Sequence, residues 1–150
     1  MIGLLQRVTE ARVVVADKTV ATIGPGLLVL IGVQREDSHA MARRLLERLV
    51  SYRVFPDETG RMNRSVQDIH GGLLLVPQFT LAADTQRGTR PGFSTAAPPE
   101  QAASLFATLC EEAKRQHANT QAGVFGADMQ VSLCNDGPVT FWLEVSPDSR

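Results

Sequence analysis

The sequence predicts a single α/β domain, residues 1–150, of about seven strands and two helices. Three observations carry that prediction. The chain has 150 residues, 43% hydrophobic and 21% charged, the ordinary balance of one folded domain. A chain of this length buries roughly two-thirds of its unfolded surface and needs no disulfide or metal staple. Short apolar and β-branched runs fill the first third and return later, while two segments repeat apolar residues at spacings of three and four.

Ile2 to Val8 is a short apolar-rich strand, Arg12 to Ala16 is β-branched, and Thr19 to Ile23 alternates. Asp17-Lys18 joins the last two as a tight hairpin. After Gly24-Pro25-Gly26, the almost wholly apolar Leu27 to Val33 reads as a strand covered on both faces. A helix fits from about Ser38 to Arg53, capped by Asp37 or Ser38, with Met41, Leu45, Leu49 and Tyr52 on one stripe. Its outer face is basic: Arg43, Arg44, Arg48 and Arg53 against Glu47. Pro56 to Gly60 is a turn, and Gly71-Gly72 introduces a buried strand, Leu73 to Val76. Residues 82–98 form a long loop of the kind that often carries function. Pro98-Pro99-Glu100 opens a second helix whose apolar stripe is Ala102, Leu105, Phe106, Leu109, Cys110 and Ala113. Ala127 to Cys134 and Val139 to Val145 close the chain as strands separated by Asn135-Asp136-Gly137-Pro138, leaving a tail at 145–150.

Fifteen basic and 16 acidic side chains give a formal charge of −1, which offers no global electrostatic case for a nucleic acid or a membrane. The charge is uneven: residues 1–96 carry 12 basic and 9 acidic groups, residues 97–150 carry 3 and 7. The start lacks the basic head and apolar stretch of a secretory signal, and Cys110 and Cys134 read as reduced core thiols. The longest apolar run, Leu27 to Ile31, is far short of the roughly 20 residues of a membrane span. The expectation is a soluble, cytoplasmic chain.

Most catalytic constellations are missing. No Gly-rich phosphate loop, Gly-x-Ser-x-Gly elbow or zinc-ligand spacing occurs; His39, His70 and His117 are scattered among polar neighbours and read as surface residues. No metal or cofactor is expected. Two local features remain. In Val76-Pro77-Gln78-Phe79-Thr80-Leu81 a buried strand runs into the long loop. Structurally this is a strand end with an aromatic plug; functionally it is a place to offer backbone N–H groups to an oxyanion. Asn135-Asp136-Gly137-Pro138-Val139-Thr140 is in the first instance the vocabulary of a hairpin turn.

Taken together, these segments resemble the D-aminoacyl-tRNA deacylase family of bacterial, D-tyrosyl-tRNA deacylase type, from Met1 to Val145. The carrying blocks are Leu5-Gln6-Arg7-Val8, Gly26-Leu27-Leu28-Val29, Gln78-Phe79-Thr80-Leu81-Ala82-Ala83-Asp84-Thr85, Arg87-Gly88 and Arg90-Pro91. Asn119-Thr120-Gln121, Asp128-Met129-Gln130-Val131 and Asn135 to Thr140 follow in the right order. The resemblance implies a mixed β-sheet rolled into a partial barrel with both helices on one side. It also implies a homodimer, with the active site at the interface, that hydrolyses the ester between a D-amino acid and the acceptor end of tRNA. Gln78, Phe79 and Thr80 would form the catalytic wall. Gly137-Pro138 would be a cis dipeptide reaching into the partner's pocket to refuse L-amino acids while D-amino acids and glycine fit. Met129 would lie near the terminal adenine. The family usually has Ser where this chain has Pro77, so a mechanism requiring that hydroxyl does not fit this sequence.

Confined to the acceptor end, tRNA recognition needs few neutralised phosphates, which suits near-zero net charge. Arg7, Arg87 and Arg90 are the candidate phosphate contacts, with the helix around Arg44 and Arg48. Two rival readings stand beside the hydrolase: a non-catalytic nucleic-acid-binding homodimer of the same fold, and an unrelated esterase using Thr80 as nucleophile.

Overall fold

In the computed structural model, which describes residues 1–147, strand β1 (Ile2–Val15) organises everything around it. It turns back through Ala16 and Asp17, both at positive φ, into antiparallel β2 (Lys18–Ile23). Strand β3 (Gly26–Gly32) pairs with the first half of β1, and the last strand, β8 (Gln130–Glu144), pairs with nearly its whole length. That second partner is why β1 does not break at polar Thr9-Glu10, so the two short strands expected there are one.

Helix α1 (His39–Ser51) starts where Ser38 accepts the Met41 N–H at 3.3 Å. After it come a small ribbon, β4 (Phe55–Pro56) with β5 (Met62–Arg64), and then β6 (Gly72–Pro77), parallel to β3. A 3-10 turn (Phe79–Ala82) opens the long loop, α2 (Pro99–Gln116) follows, and β7 (Thr120–Ala122) adds parallel to β6. The order is β2-β1-β3-β6-β7, with β8 on β1. The Thr22 N–H donates to Gln121 Oε1 at 2.7 Å, linking β2 to β7 across the seam, so the mixed sheet nearly closes into a barrel. At the head of β3 and β6 a Cβ on Gly26 would lie 1.9 Å from the Gly72 carbonyl oxygen, so only glycine allows this approach.

Two apolar layers hold the fold. Leu27, Val29 and Ile31 of β3, with Leu73 and Leu75 of β6, face α1 and α2 together, so both helices lie on one side. Leu28, Leu74 and Val76 point the other way, meeting Val8, Val13 and Ile23 inside the barrel. The expected double coverage of β3 is met, as is the α2 stripe, whose six predicted residues are all buried. On α1, Tyr52 is only half-buried, and Ala42, Leu46 and Val50 widen the stripe. The Met1 ammonium group is buried against the Asp37 carboxylate at 2.7 Å and the Val145 carbonyl at 2.6 Å, tying the first strand to the end of the last. Of the tail expected at 145–150, Val145 is thus packed, and residues 148–150 lie outside the described residues. Among the described residues no helix is long and apolar enough to cross a membrane.

Four further expectations change. The two closing strands are one strand, β8, because both halves pair with β1 in the same sense. Asn135 to Pro138 is therefore no hairpin turn. Between the pairs Gln6↔Thr140 and Val8↔Asn135, β1 advances two residues and β8 five, so the segment is a large bulge. His117 is buried, not superficial: it ends α2 and its ring meets the Gly71 carbonyl. Cys134 is exposed on β8, whereas Cys110 is buried and its thiol is pushed up to about 11 by desolvation.

Candidate active site

Parallel pairing carries β6 to Pro77, opposite Ile31. On its other side β6 loses its partner early: the Gly123 N–H donates to the Leu75 carbonyl at 2.8 Å, and β7 pairing reaches no further. The next donor due on that side would be the residue 77 amide, which proline lacks, and its ring stands beside Gly123. Proline is thus compatible with a central strand here because the ladder has already ended.

The Gln78 N–H reaches back to the Ile31 carbonyl at 2.7 Å and fixes where the chain leaves the sheet. The Leu81 and Ala83 N–H groups then bond to the Gln78 and Thr80 carbonyls, winding the 3-10 turn. Among the described residues no carbonyl accepts from the Phe79 or Thr80 N–H groups, the first donors of that turn. The Thr80 hydroxyl bonds to the Gln78 side-chain amide rather than to a base. Phe79 is 61% exposed and packs on Phe93, with ring centroids 5.3 Å apart.

Gln78 and Phe79 share one mainly apolar pocket of about 430 Å³ with Met129, Phe125 and Pro99. Thr80 faces a neighbouring open hollow of about 680 Å³ with Asp84, Trp142 and Glu144. The 3-10 turn therefore divides two spaces. Phe125 escaped the sequence reading because it lies in a loop without periodicity; the signal available was an aromatic between Gly123 and Gly126. It is partly exposed and packs on Phe106 of α2 at 6.2 Å.

The other predicted element lies apart from this pocket within one chain, for residues 135–140 are absent from its lining. The Gly137-Pro138 peptide is cis, and Gly137 has φ of +134°. A Cβ there would meet Val139 Cγ2 at 2.7 Å and Arg7 Nη2 at 3.2 Å. Arg7 is largely buried: it donates to the Val54 carbonyl at 2.8 Å and the Asp136 carbonyl at 3.1 Å, and pairs with the Asp136 carboxylate at 3.5 Å. Asn135 Oδ1 accepts from the Val139 N–H at 3.1 Å, and its amide donates to Thr140 Oγ1 at 2.9 Å. These bonds hold the bulge as a braced projection. The guanidinium of Arg7 thus serves the bulge, while Arg87 and Arg90 sit exposed on the long loop and make no ion pair among the described residues.

Among the described residues no three His, Cys, Asp or Glu side chains gather as a metal site. The wall of the pocket is backbone amide, a side-chain amide and aromatic and aliphatic faces, with the Thr80 hydroxyl on the far side of the 3-10 turn.

Residues 4–144 match the family model described as D-Tyr-tRNA(Tyr) deacylase. The chain is 62% identical over 149 residues to a D-aminoacyl-tRNA deacylase of Alkalilimnicola ehrlichii, covering 99% of each. It is 60% identical over 147 residues to one of Herminiimonas arsenicoxydans, covering 98% of this chain and 99% of that one. Among solved structures, one described as a c-Myc DNA unwinding element binding protein superposes with a TM-score of 0.93 at 37% identity, covering 97% of this chain and 99% of that one. A probable eukaryotic D-amino acid tRNA deacylase shares the fold, with a TM-score of 0.87 at 16% identity over 96% of this chain and 98% of that one. With the family match spanning almost every described residue, the chain belongs to the D-aminoacyl-tRNA deacylase family, a family of ester hydrolases.

Proposed function

We propose that this chain hydrolyses the ester of D-aminoacyl-tRNA, and of glycyl-tRNA, in the cytoplasm, as a homodimer whose pocket is completed by the partner's Gly137-Pro138. The observation that carries the reading is the pair of backbone N–H groups of Phe79 and Thr80, without carbonyl partners among the described residues, at the edge of an apolar pocket. The terminal adenine stacks against Met129 in that pocket, with Phe125 beside it. The ester carbonyl then points at the two amides. Water adds to the carbonyl carbon, its proton passing toward the 2′-hydroxyl of the terminal ribose. The resulting oxyanion takes hydrogen bonds from the amides, and its collapse breaks the C–O bond as the 2′-hydroxyl passes its own proton to the departing 3′-oxygen, releasing amino acid and tRNA. A donor of this kind is worth about 10²–10³-fold in rate. An aminoacyl ester is already activated, so no side-chain base is needed, and neither is a hydroxyl at position 77.

Backbone groups also suit the selectivity. Many D-side chains must enter while their mirror forms are refused, and a side-chain pocket would choose by size instead. A wall of Gly137-Pro138 carbonyls set against the α-carbon tests handedness alone. Exposed Leu133 and Trp142 on β8 support a second copy covering this face. Arg87 and Arg90, exposed on the loop and without an ion pair among the described residues, meet phosphates of the acceptor end.

The binding-module reading keeps one specific support, the 37% identical structure described as a DNA unwinding element binding protein. Incubation with D-Tyr-tRNA, L-Tyr-tRNA and Gly-tRNA separates the two. The proposal expects loss of the D and glycyl esters and survival of the L ester; equal inactivity on all three would leave the binding module.

A further inference from the structure

Between the end of α1 and β8 lies an open hollow of about 560 Å³, lined by Arg44, Arg48, Arg53, Tyr52 and Phe141. Glu47 is the one carboxylate on its lining. The structure sorts the basic face seen in the sequence. Arg43 turns to α2, pairing with Glu112 at 3.6 Å, and leaves the hollow. Asp68 lies near enough to Arg53 to be influenced by its charge. Arg48 donates to the Glu144 backbone carbonyl at 3.3 Å, which orients the guanidinium without neutralising it. Among the described residues Arg44 pairs only with the exposed Glu47, at 3.3 Å, which a phosphate can replace. Tyr52 and Phe141 pack with their rings tilted 60° at a centroid distance of 5.7 Å, with part of Phe141 open to solvent. Guanidinium groups beside open aromatic faces match unpaired nucleic acid, whose phosphates and bases alternate along one strand.

Position strengthens the match. Val54, next to Arg53, gives its carbonyl to Arg7, and Arg7 holds the Asp136 carbonyl of the bulge. The hollow and the Gly137-Pro138 projection are therefore braced to each other. We propose that this hollow binds the phosphodiester backbone of the unpaired acceptor end as it leaves the other subunit's pocket, so that each tRNA touches both subunits. The proposal rests on the shared-pocket reading above. It assigns Arg44 and Arg48 to RNA affinity and not to chemistry.

The test measures binding of uncharged tRNA from 50 to 200 mM salt for the wild type, Arg44→Gln/Arg48→Gln and Arg44→Lys/Arg48→Lys. Steady-state kinetics on D-Tyr-tRNA accompany it. Each phosphate contact contributes about 0.7–0.9 to the log–log salt slope, so losing two makes the slope shallower by about 1.5. Over that fourfold salt range the wild type then loses about eightfold more affinity than the Gln pair. KM should rise with kcat unchanged, and the Lys pair should keep the wild-type slope. An unchanged slope in the Gln pair overturns the proposal, whether or not affinity falls, because fold damage alone leaves no charge signature. Binding needs no hydrolysis, so a wild type inactive on D-Tyr-tRNA would defeat the earlier reading while this measurement still decides the hollow.

Discussion

Arg7→Ala removes the guanidinium that joins three elements: β1, the Val54 carbonyl and the bulge of β8. The bond to Val54 is at 2.8 Å on the buried side and is of the charged kind, worth about 1.5–3 kcal/mol. The bond to the Asp136 carbonyl, at 3.1 Å, lies nearer solvent and counts at the low end of that range. The ion pair with the half-exposed Asp136 carboxylate adds little in water. Together the loss is about 3–4.5 kcal/mol, which for a domain of this size, at about 3 °C per kcal/mol, lowers Tm by about 9–14 °C. Function should suffer differently. With its brace gone, the Gly137-Pro138 projection no longer holds one position, and refusal of L-Tyr-tRNA should weaken by about tenfold or more, while D-Tyr-tRNA is still cleaved. Arg7→Lys keeps the charge but cannot span both carbonyls, so it should fall between. The assays are thermal melting and the ratio of kcat/KM on D- and L-Tyr-tRNA. A variant that melts lower but keeps the wild-type ratio would refute the bracing argument.

Other consequences follow from single contacts. Asp37→Asn leaves the buried Met1 ammonium without its counter-charge and should cost about 3–5 kcal/mol, read by urea unfolding. Pro77→Ser should alter D-Tyr-tRNA turnover only a few-fold, since no step uses a hydroxyl there; a gain of orders of magnitude would contradict the backbone mechanism. Phe79→Ala and Phe79→Pro lose the same ring, but only proline removes the amide, at a position where a first turn tolerates it. Proline should therefore be slower than alanine by about 10²-fold in kcat. Asp57 accepts hydrogen bonds from the Thr59 hydroxyl and the Asn63 amide, and these hold its carboxyl well below the ordinary carboxylate range. A depressed folded pKa means stability present above the unfolded value near 3.8 and lost as pH falls below it. Melting of wild type and Asp57→Asn should differ at neutral pH and converge in acid.

What the sequence disclosed was whatever burial writes as a period. The α2 stripe and the two-faced β3 were legible because each apolar position answers to one layer of core. The strand end that carries the candidate site was legible as a place, since an apolar run stops at Pro77 and a long loop begins. Long-range partners were not. Nothing local shows that Arg7 meets Val54 and Asp136, because an exposed and a bracing arginine look alike in sequence. Thr120-Gln121-Ala122 is too short and polar to announce a strand; it becomes one because β6 offers it a ladder. His117 sits among polar neighbours, yet capping α2 takes it inside. The bulge reads as turn vocabulary, and only pairing of both flanks with β1 shows that the chain continues.

The central claim, that handedness is tested by one copy for the pocket of the other, has a direct measurement. Pro138→Ala chains keep their amides but should cleave L-Tyr-tRNA; Phe79→Pro chains keep an intact wall but little chemistry. Subunits of the first are exchanged with an excess of the second, and L-Tyr-tRNA hydrolysis per Pro138→Ala chain is followed. A wall acting across the interface predicts that the leak closes, because each active pocket now faces an intact Gly137-Pro138. A leak that persists unchanged after exchange would place the wall in its own subunit and contradict the account.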